Sequence, residues 1–373
     1  MPILRALLAA PLVLTLLTVG SANLPSEPHL PAASSSLSRL VVEGPAPAAA
    51  LLAHEGAPGG VERYESAGAG IGADDRFRAG SITKTFVAVV VLQLAREGAL
   101  RLEDSVEDHL PGLVHGRGRD GSAITLRALL THTSGLSDYT AALPASDPVF
   151  TGTAGPSAGP LTPTAAVRAA VARPPVAAYG SYAYSNTNYV LLGLVVQRVT
   201  GRPYAAEIRH RVLLPLRLTG TSLPGSDSAL PSPHSRGYHR SPVDGRLREV
   251  TAVDPRIAGA SGELISTLRD LDRFYAALLG GRLLAPAELA VLLDTRTAGG
   301  AYGMGIYPQR LPCGTTVWGH NGLIAGSYAR TAATRDGRHV LTFRLNADAR
   351  PGTDLEAGLL AAEFCPPARS EGG

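Results

Sequence analysis

The chain has 373 residues, 45% of them hydrophobic and 17% charged, with a formal net charge of +3. That apolar fraction supplies a substantial core and excludes a disordered chain. The Arg residues are scattered, and the densest group (Arg236, Arg240, Arg246 and Arg248) reads as a solvated loop, so no nucleic-acid partner is expected.

In chain order, the N-terminus reads as a secretory signal. Arg5 is followed by an apolar run over residues 6–19, and Gly20-Ser21-Ala22 offers a cleavage site after Ala22. The run is too short to span a bilayer. A signal peptide over 1–22 and a Pro-, Ser- and Ala-rich linker over 23–37 make the mature protein secreted or cell-wall-associated, with no membrane anchor after cleavage. Export places Cys313 and Cys365 in an oxidising environment, where an even count predicts a disulfide.

Two short runs at 40–52 and 61–70 flank Glu55-Gly56-Ala57-Pro58-Gly59-Gly60, a hairpin signal. Residues 82–97 are apolar nearly all round and stop at Gly98, which predicts a buried helix. From 100 to 267 helical segments alternate with long Gly/Pro-rich loops, and the clearest helix runs over 188–199 before Gly201. Another is predicted over 268–279, with Ser266 and Thr267 as cap candidates and Asp270 in its first turn. Strands are predicted at 315–318, 327–334 and 339–346, the last two joined by Asp336-Gly337, before a closing helix over 353–364. The fold class is therefore α+β. An antiparallel sheet flanked by helices, built from 38–99 and 268–366, carries a mainly helical insertion over 100–267 and ends in a polar tail over 367–373.

The chemistry begins with a bias in composition. Of the 34 basic residues only Lys84 is Lys. Guanidinium stays protonated in a protein, whereas an ammonium can be made to titrate. A position that keeps Lys against this bias points to an amine that gives up its proton. Ser81 stands three residues earlier at the start of the buried helix, so the two side chains share one face. Ser-x-x-Lys in that setting reads as a nucleophile beside a titratable amine, which acts as the base when neutral or, when charged, lowers the pKa of a nearby phenol that does. Acyl transfer also needs a second proton-transfer group and an oxyanion hole. Tyr184-Ser185-Asn186 supplies a phenol and an amide on a loop before the 188–199 helix. His320-Asn321-Gly322 follows the strand ending at Trp318, where Gly lets backbone approach a ligand closely. The ten His residues make no zinc spacing, and no metal or organic cofactor is expected.

In this order the three motifs resemble the penicillin-recognising serine hydrolases, within them the class C β-lactamase and secreted D-alanyl-D-alanine carboxypeptidase family. The likeness runs from Ser38 to Cys365 and includes Thr131-His132-Thr133-Ser134-Gly135 as well as the motifs above. It implies a β-lactamase/transpeptidase-like fold and an acyl-enzyme on Ser81. It further implies that Lys84 and Tyr184 share the proton transfers, that Asn186 contacts the substrate amide, and that His320 lies beside Tyr184. The backbone amides of Ser81 and Leu323 would form the oxyanion hole, and His132 is expected to be a hydrogen-bonded core residue.

The resemblance makes a D-alanyl-D-alanine carboxypeptidase the leading expectation. Its substrate would be a peptidoglycan stem peptide, with β-lactams as inhibitors or substrates, and the protein a monomer. An esterase or D-amino-acid amidase on the same scaffold comes next, then a β-lactamase. From a different class stands a catalytically silent wall-binding or sensor protein, against which the intact Ser81, Lys84 and Tyr184 argue. Asn321 and Leu323 depart from the pattern, which places hydroxyl residues there to hold a terminal carboxylate. Loss of that clamp favours the esterase and amidase alternatives.

Overall fold

A computed structural model describes residues 32–366 apart from 57–59, 117–118, 143–161 and 242. The expected signal peptide, the tail over 367–373 and residues 23–31 of the expected linker lie outside the described residues. Residues 32–37 belong to a helix, α1 (Ala32–Val42), because Leu37 and Leu40 fall on one face and bury against the sheet.

The strands that frame the site are β1 (Ala48–Glu55), β2 (Val61–Gly68), β3 (Phe77–Arg78), β4 (Ile265–Ser266), β5 (Tyr307–Arg310), β6 (Thr316–Ile324), β7 (Ser327–Ala333) and β8 (His339–Leu345). Six of them form one antiparallel sheet in the order β2-β1-β8-β7-β6-β5, so strands from the two ends of the chain meet where Ala49 pairs with Leu345. The other principal helices are α2 (Thr83–Arg96), α3 (Leu126–Leu130), α4 (Pro163–Val171), α5 (Asn186–Thr200), α6 (Leu268–Leu279) and α7 (Thr353–Phe364).

Side chains alternate across a strand, and β1 shows why its sequence is apolar throughout. Ala48, Ala50 and Leu52 join the core that contains Phe86 of α2 and Phe274 of α6. Ala49, Leu51 and Ala53 join the opposite core with Leu37 of α1 and Leu360 of α7. A sheet covered on both faces needs no polar side. Helix α2 is buried from Thr83 to Leu94, as a sequence apolar on all sides requires, and its Phe86 stacks on Phe274 at 3.7 Å between ring centroids.

Local chemistry sets the ends of these helices. Thr267 Oγ1 accepts from Asp270 N at the start of α6, and Gly201 ends α5 in the left-handed region at φ +70°. A further element differs from its sequence reading. The strand predicted to end at Trp318 continues to Ile324, in unbroken register with β7 from Trp318↔Ala333 to Ile324↔Ser327. His320-Asn321-Gly322 therefore lies inside a strand rather than in a turn after it. The Asn-Gly pair looks like a turn, but Gly322 is present because of what packs on it, as described below. Cys313 and Cys365 are joined, their Cα atoms 5.8 Å apart, tying the β5–β6 connection to the end of α7.

Candidate active site

The site is assembled where a turn at the head of α2 meets β6. Gly80 sits at φ +54° and opens the single turn Gly80–Ile82 that presents Ser81. A Cβ on Gly80 would come 2.9 Å from Leu323 N, and one on Gly322 would come 1.8 Å from Ala79 O and 3.1 Å from Ser81 N. The turn and the strand thus touch backbone to backbone, which only glycines at both positions permit. This contact brings the amides of Ser81 and Leu323 to the same edge of the cleft.

Lys84 is fully buried and its ammonium has three acceptors: Ser81 Oγ at 2.9 Å, Asn186 Oδ1 at 2.7 Å and Ser261 O at 2.6 Å. Burial lowers its pKa from the ordinary lysine value to about 7, with the Asp138 carboxylate holding it up. A neutral amine can keep both bonds to Asn186 and Ser261 and turn its lone pair to Ser81.

Asn186 is the first residue of α5, and both its N–H (3.0 Å) and its Nδ2 (2.9 Å) donate to Asp138 Oδ2. That pair of bonds fixes the amide so that Oδ1 faces Lys84. Asp138 is held in turn, because Tyr139 N donates to Thr187 Oγ1 at 3.0 Å and Ser185 Oγ to Ser137 O at 3.2 Å.

The Tyr184 ring lies 5.0 Å from Lys84 Nζ and keeps 38% of its surface open to the cleft. Burial of its hydroxyl end raises its pKa above the ordinary phenol value, and a hydrogen bond with the Ser81 side chain opposes the rise. His320 is buried 6.4 Å from Tyr184 between ring centroids. Its Nδ1–H donates to Asn321 O at 2.5 Å and its Nε2 accepts from Tyr302 at 2.8 Å. Burial first, then the Lys84 charge, lower the His320 pKa to about 3, so the imidazole is neutral.

His132 is the buried, hydrogen-bonded residue its motif suggested. Its Nδ1 accepts from Asn188 Nδ2 at 3.0 Å and Ser185 N at 3.2 Å, and its backbone stands at φ +57°.

The structure brings Ser81, Lys84, Tyr184, Asn186, His320, Asn321, Gly322 and Leu323 together around a cleft of about 530 Å³. Cys313 and Cys365 lie outside it. Asn186 lines the cleft, with its amide held between Lys84 and Asp138. Asn321 Oδ1 accepts from Tyr307 at 3.0 Å, and Leu323 is 37% exposed on the cleft wall. Five residues that sequence reading missed also matter here: Asp138 behind Asn186, and Tyr302, Tyr307, Asp348 and Arg350 on the cleft wall. The only signal for Asp138 is its place three residues beyond the His132 motif.

The β-lactamase family profile matches residues 39–364. A D-stereospecific amidohydrolase from Streptomyces sp. superposes with a TM-score of 0.80 at 42% identity, covering 90% of this chain and 98% of that one. The D-amino acid amidase of Ochrobactrum anthropi SV3, solved with L-phenylalanine amide, gives 0.75 at 25% identity, covering 89% and 97%. Penicillin-binding protein 4 of Amycolatopsis lactamdurans is 28% identical over 299 residues, 74% of this chain and 73% of that protein. The chain spans about half, 53%, of putative penicillin-binding protein PbpX of Bacillus subtilis, which it matches at 27% identity. Sheet, motif order and near-complete coverage by these structures agree, and the chain belongs to the β-lactamase family of serine hydrolases.

Proposed function

We propose that the protein hydrolyses amides of D-amino acids and short D-configured peptides through an acyl-enzyme on Ser81. The observation that carries the reading is Lys84 Nζ at 2.9 Å from Ser81 Oγ, with a pKa of about 7 that leaves roughly half of the amine neutral at pH 7. A base poised near the working pH is the efficient choice.

In the first step Lys84 takes the Ser81 hydroxyl proton as Oγ bonds to the substrate carbonyl carbon. The carbonyl oxygen becomes an oxyanion, for which the Ser81 and Leu323 amides are the donors. The raised pKa of Tyr184 keeps it a phenol, suited to hand a proton to the leaving amine and recover one from Lys84. The carbon–nitrogen bond breaks and an ester to Ser81 remains. Water then attacks that ester with the same groups in reverse roles.

Two features support the amide substrate class. Leu323 puts apolar surface where a carboxylate clamp would need a hydroxyl, and a leaving ammonia or amine carries no carboxylate. Tyr182, Tyr184, Tyr302 and Tyr307 line the cleft and suit an aromatic or apolar side chain. The Streptomyces amidohydrolase, similar over nearly its whole length, supports the same class.

One observation favours a second reading, D-alanyl-D-alanine carboxypeptidase. Arg350 is an exposed guanidinium on the cleft wall near His320 and Tyr307, able to receive a terminal carboxylate. Turnover of D-phenylalanine amide, its L-enantiomer, an acyl-D-Ala-D-Ala peptide and a chromogenic cephalosporin distinguishes the readings. The amidase reading predicts fastest turnover of the D-amide. Preference for the acyl-D-Ala-D-Ala peptide, lost in Arg350→Gln, would replace it with the carboxypeptidase. The N-terminal sequence supports export, which N-terminal sequencing of the mature protein tests.

A further inference from the structure

Beside the cleft lies a small cavity that the reaction does not use. Its volume is about 10 Å³, room for one water-sized particle. Ala325 borders both spaces. Arg78, Arg344, Ser235 and Ser327 line the cavity.

Both arginines are 2% exposed. Nε and Nη1 of Arg78, Nε and Nη1 of Arg344, and both serine hydroxyl oxygens are buried with no hydrogen-bond partner among the described residues. The contacts these guanidiniums do make carry no negative charge. Arg78 Nη2 donates to Ser228 O at 2.6 Å, and Arg344 lies 4.7 Å over the Phe77 ring. The carboxylates that act on them do so from a distance and are engaged elsewhere. Asp227, the carboxylate that acts most strongly on Arg78, accepts from Ala229 N, Asp254 pairs with Arg256, Glu263 accepts from Tyr204, and Asp75 accepts from Gly72 N.

Two buried cations facing one cavity without a counter-charge are among the costliest arrangements in a protein interior. Lysines could escape by losing a proton, but guanidinium does not at any ordinary pH. No carboxylate among the described residues bonds either guanidinium at this cavity, so the charge calls for a further partner. We propose that Arg78 and Arg344 hold one small inorganic anion in this cavity, with the hydroxyls of Ser235 and Ser327 completing its shell. The volume selects a monatomic ion of the chloride type over sulfate, phosphate or an organic acid.

The site's place in the fold gives the ion a purpose. Arg78 stands three residues before Ser81 in β3, Arg344 is in β8, and Ser327 opens β7 just beyond the β6 end that carries Leu323. The ion would fasten the strand that leads to the nucleophile onto the strands that carry the oxyanion wall.

The test is thermal unfolding of the full chain at constant ionic strength, with chloride or bromide exchanged for sulfate. A halide site predicts a Tm that rises and saturates with chloride or bromide. It also predicts that Arg344→Met removes the dependence. Bromide-soaked crystals of the unaltered protein should give an anomalous peak between Arg78 and Arg344, a readout independent of whether the variant folds. A Tm insensitive to halide, or one that responds equally to sulfate, together with no anomalous peak, would overturn the proposal in favour of water.

Discussion

Asp138 Oδ2 accepts both the backbone N–H and the side-chain Nδ2 of Asn186, 48 residues away, and so aims the Asn186 carbonyl at Lys84. Asp138 touches no reacting atom. It acts as a positioning residue and as the negative charge that holds the Lys84 pKa up.

That relationship has a pH signature. A base works deprotonated, so activity rises with pH as Lys84 loses its proton near pH 7. Asp138→Asn removes the charge that favours the ammonium, so the acid limb of kcat/KM should move to lower pH. KM for a small amide should change little. A limb that stays in place while activity and stability fall together would leave Asp138 only a structural part.

The backbone contact at Gly322 makes a second prediction. An added methyl would meet Ala79 O at 1.8 Å and Ser81 N at 3.1 Å, pushing β6 away from the turn. Gly322→Ala should destabilise the fold by about 1–3 kcal/mol, the usual cost of overpacking. It should lower kcat by about 10²–10³, the cost of losing one oxyanion donor. Chemical denaturation and steady-state kinetics on the same preparation check both figures.

Stability should also fall in acid through His320. Its native pKa of about 3 lies below the ordinary histidine value of 6.5. Between those values the unfolded chain binds a proton that the native site refuses, so stability drops as pH falls through this window. One such group contributes a slope of up to about 1.4 kcal/mol per pH unit. Above pH 6.5 its contribution is flat. His320→Gln should lose this part of the acid slope, read as a Tm difference from the parent that changes between pH 7 and 4. A constant difference would count against a buried neutral imidazole.

The Cys313–Cys365 bridge closes a separation of 52 residues. The chain-entropy model assigns such a loop about 4 kcal/mol. Replacing both residues by Ser should cost that order of stability in denaturant titration while leaving kcat/KM unchanged, since neither residue lies on the cleft.

Much of the fold is legible because local patterns and tertiary packing agree. Helix α6 begins after a Thr267 cap with Asp270 in its first turn, as those residues suggest, and α7 spans Thr353–Phe364 as its sequence indicates. Lys84 stands out because it is the one Lys among 34 basic residues. What was hidden depends on contacts between distant segments. Asn321-Gly322 reads as a turn, yet it lies mid-strand because Gly322 abuts Ala79. Asp138 finds its partner 48 residues on, and no local period links them. Tyr302 and Tyr307 flank a Gly-rich stretch that reads as loop, and only the folded chain carries them to the cleft.

The proposed reaction passes through an ester on Ser81. Intact-mass measurement on protein quenched in acid during turnover of a D-phenylalanine ester, followed by peptide mapping, tests it most directly. One D-phenylalanyl group should be added to the peptide containing Ser81, with neither adduct nor turnover in Ser81→Ala. Undiminished turnover in Ser81→Ala, or an adduct on a different residue, would contradict it.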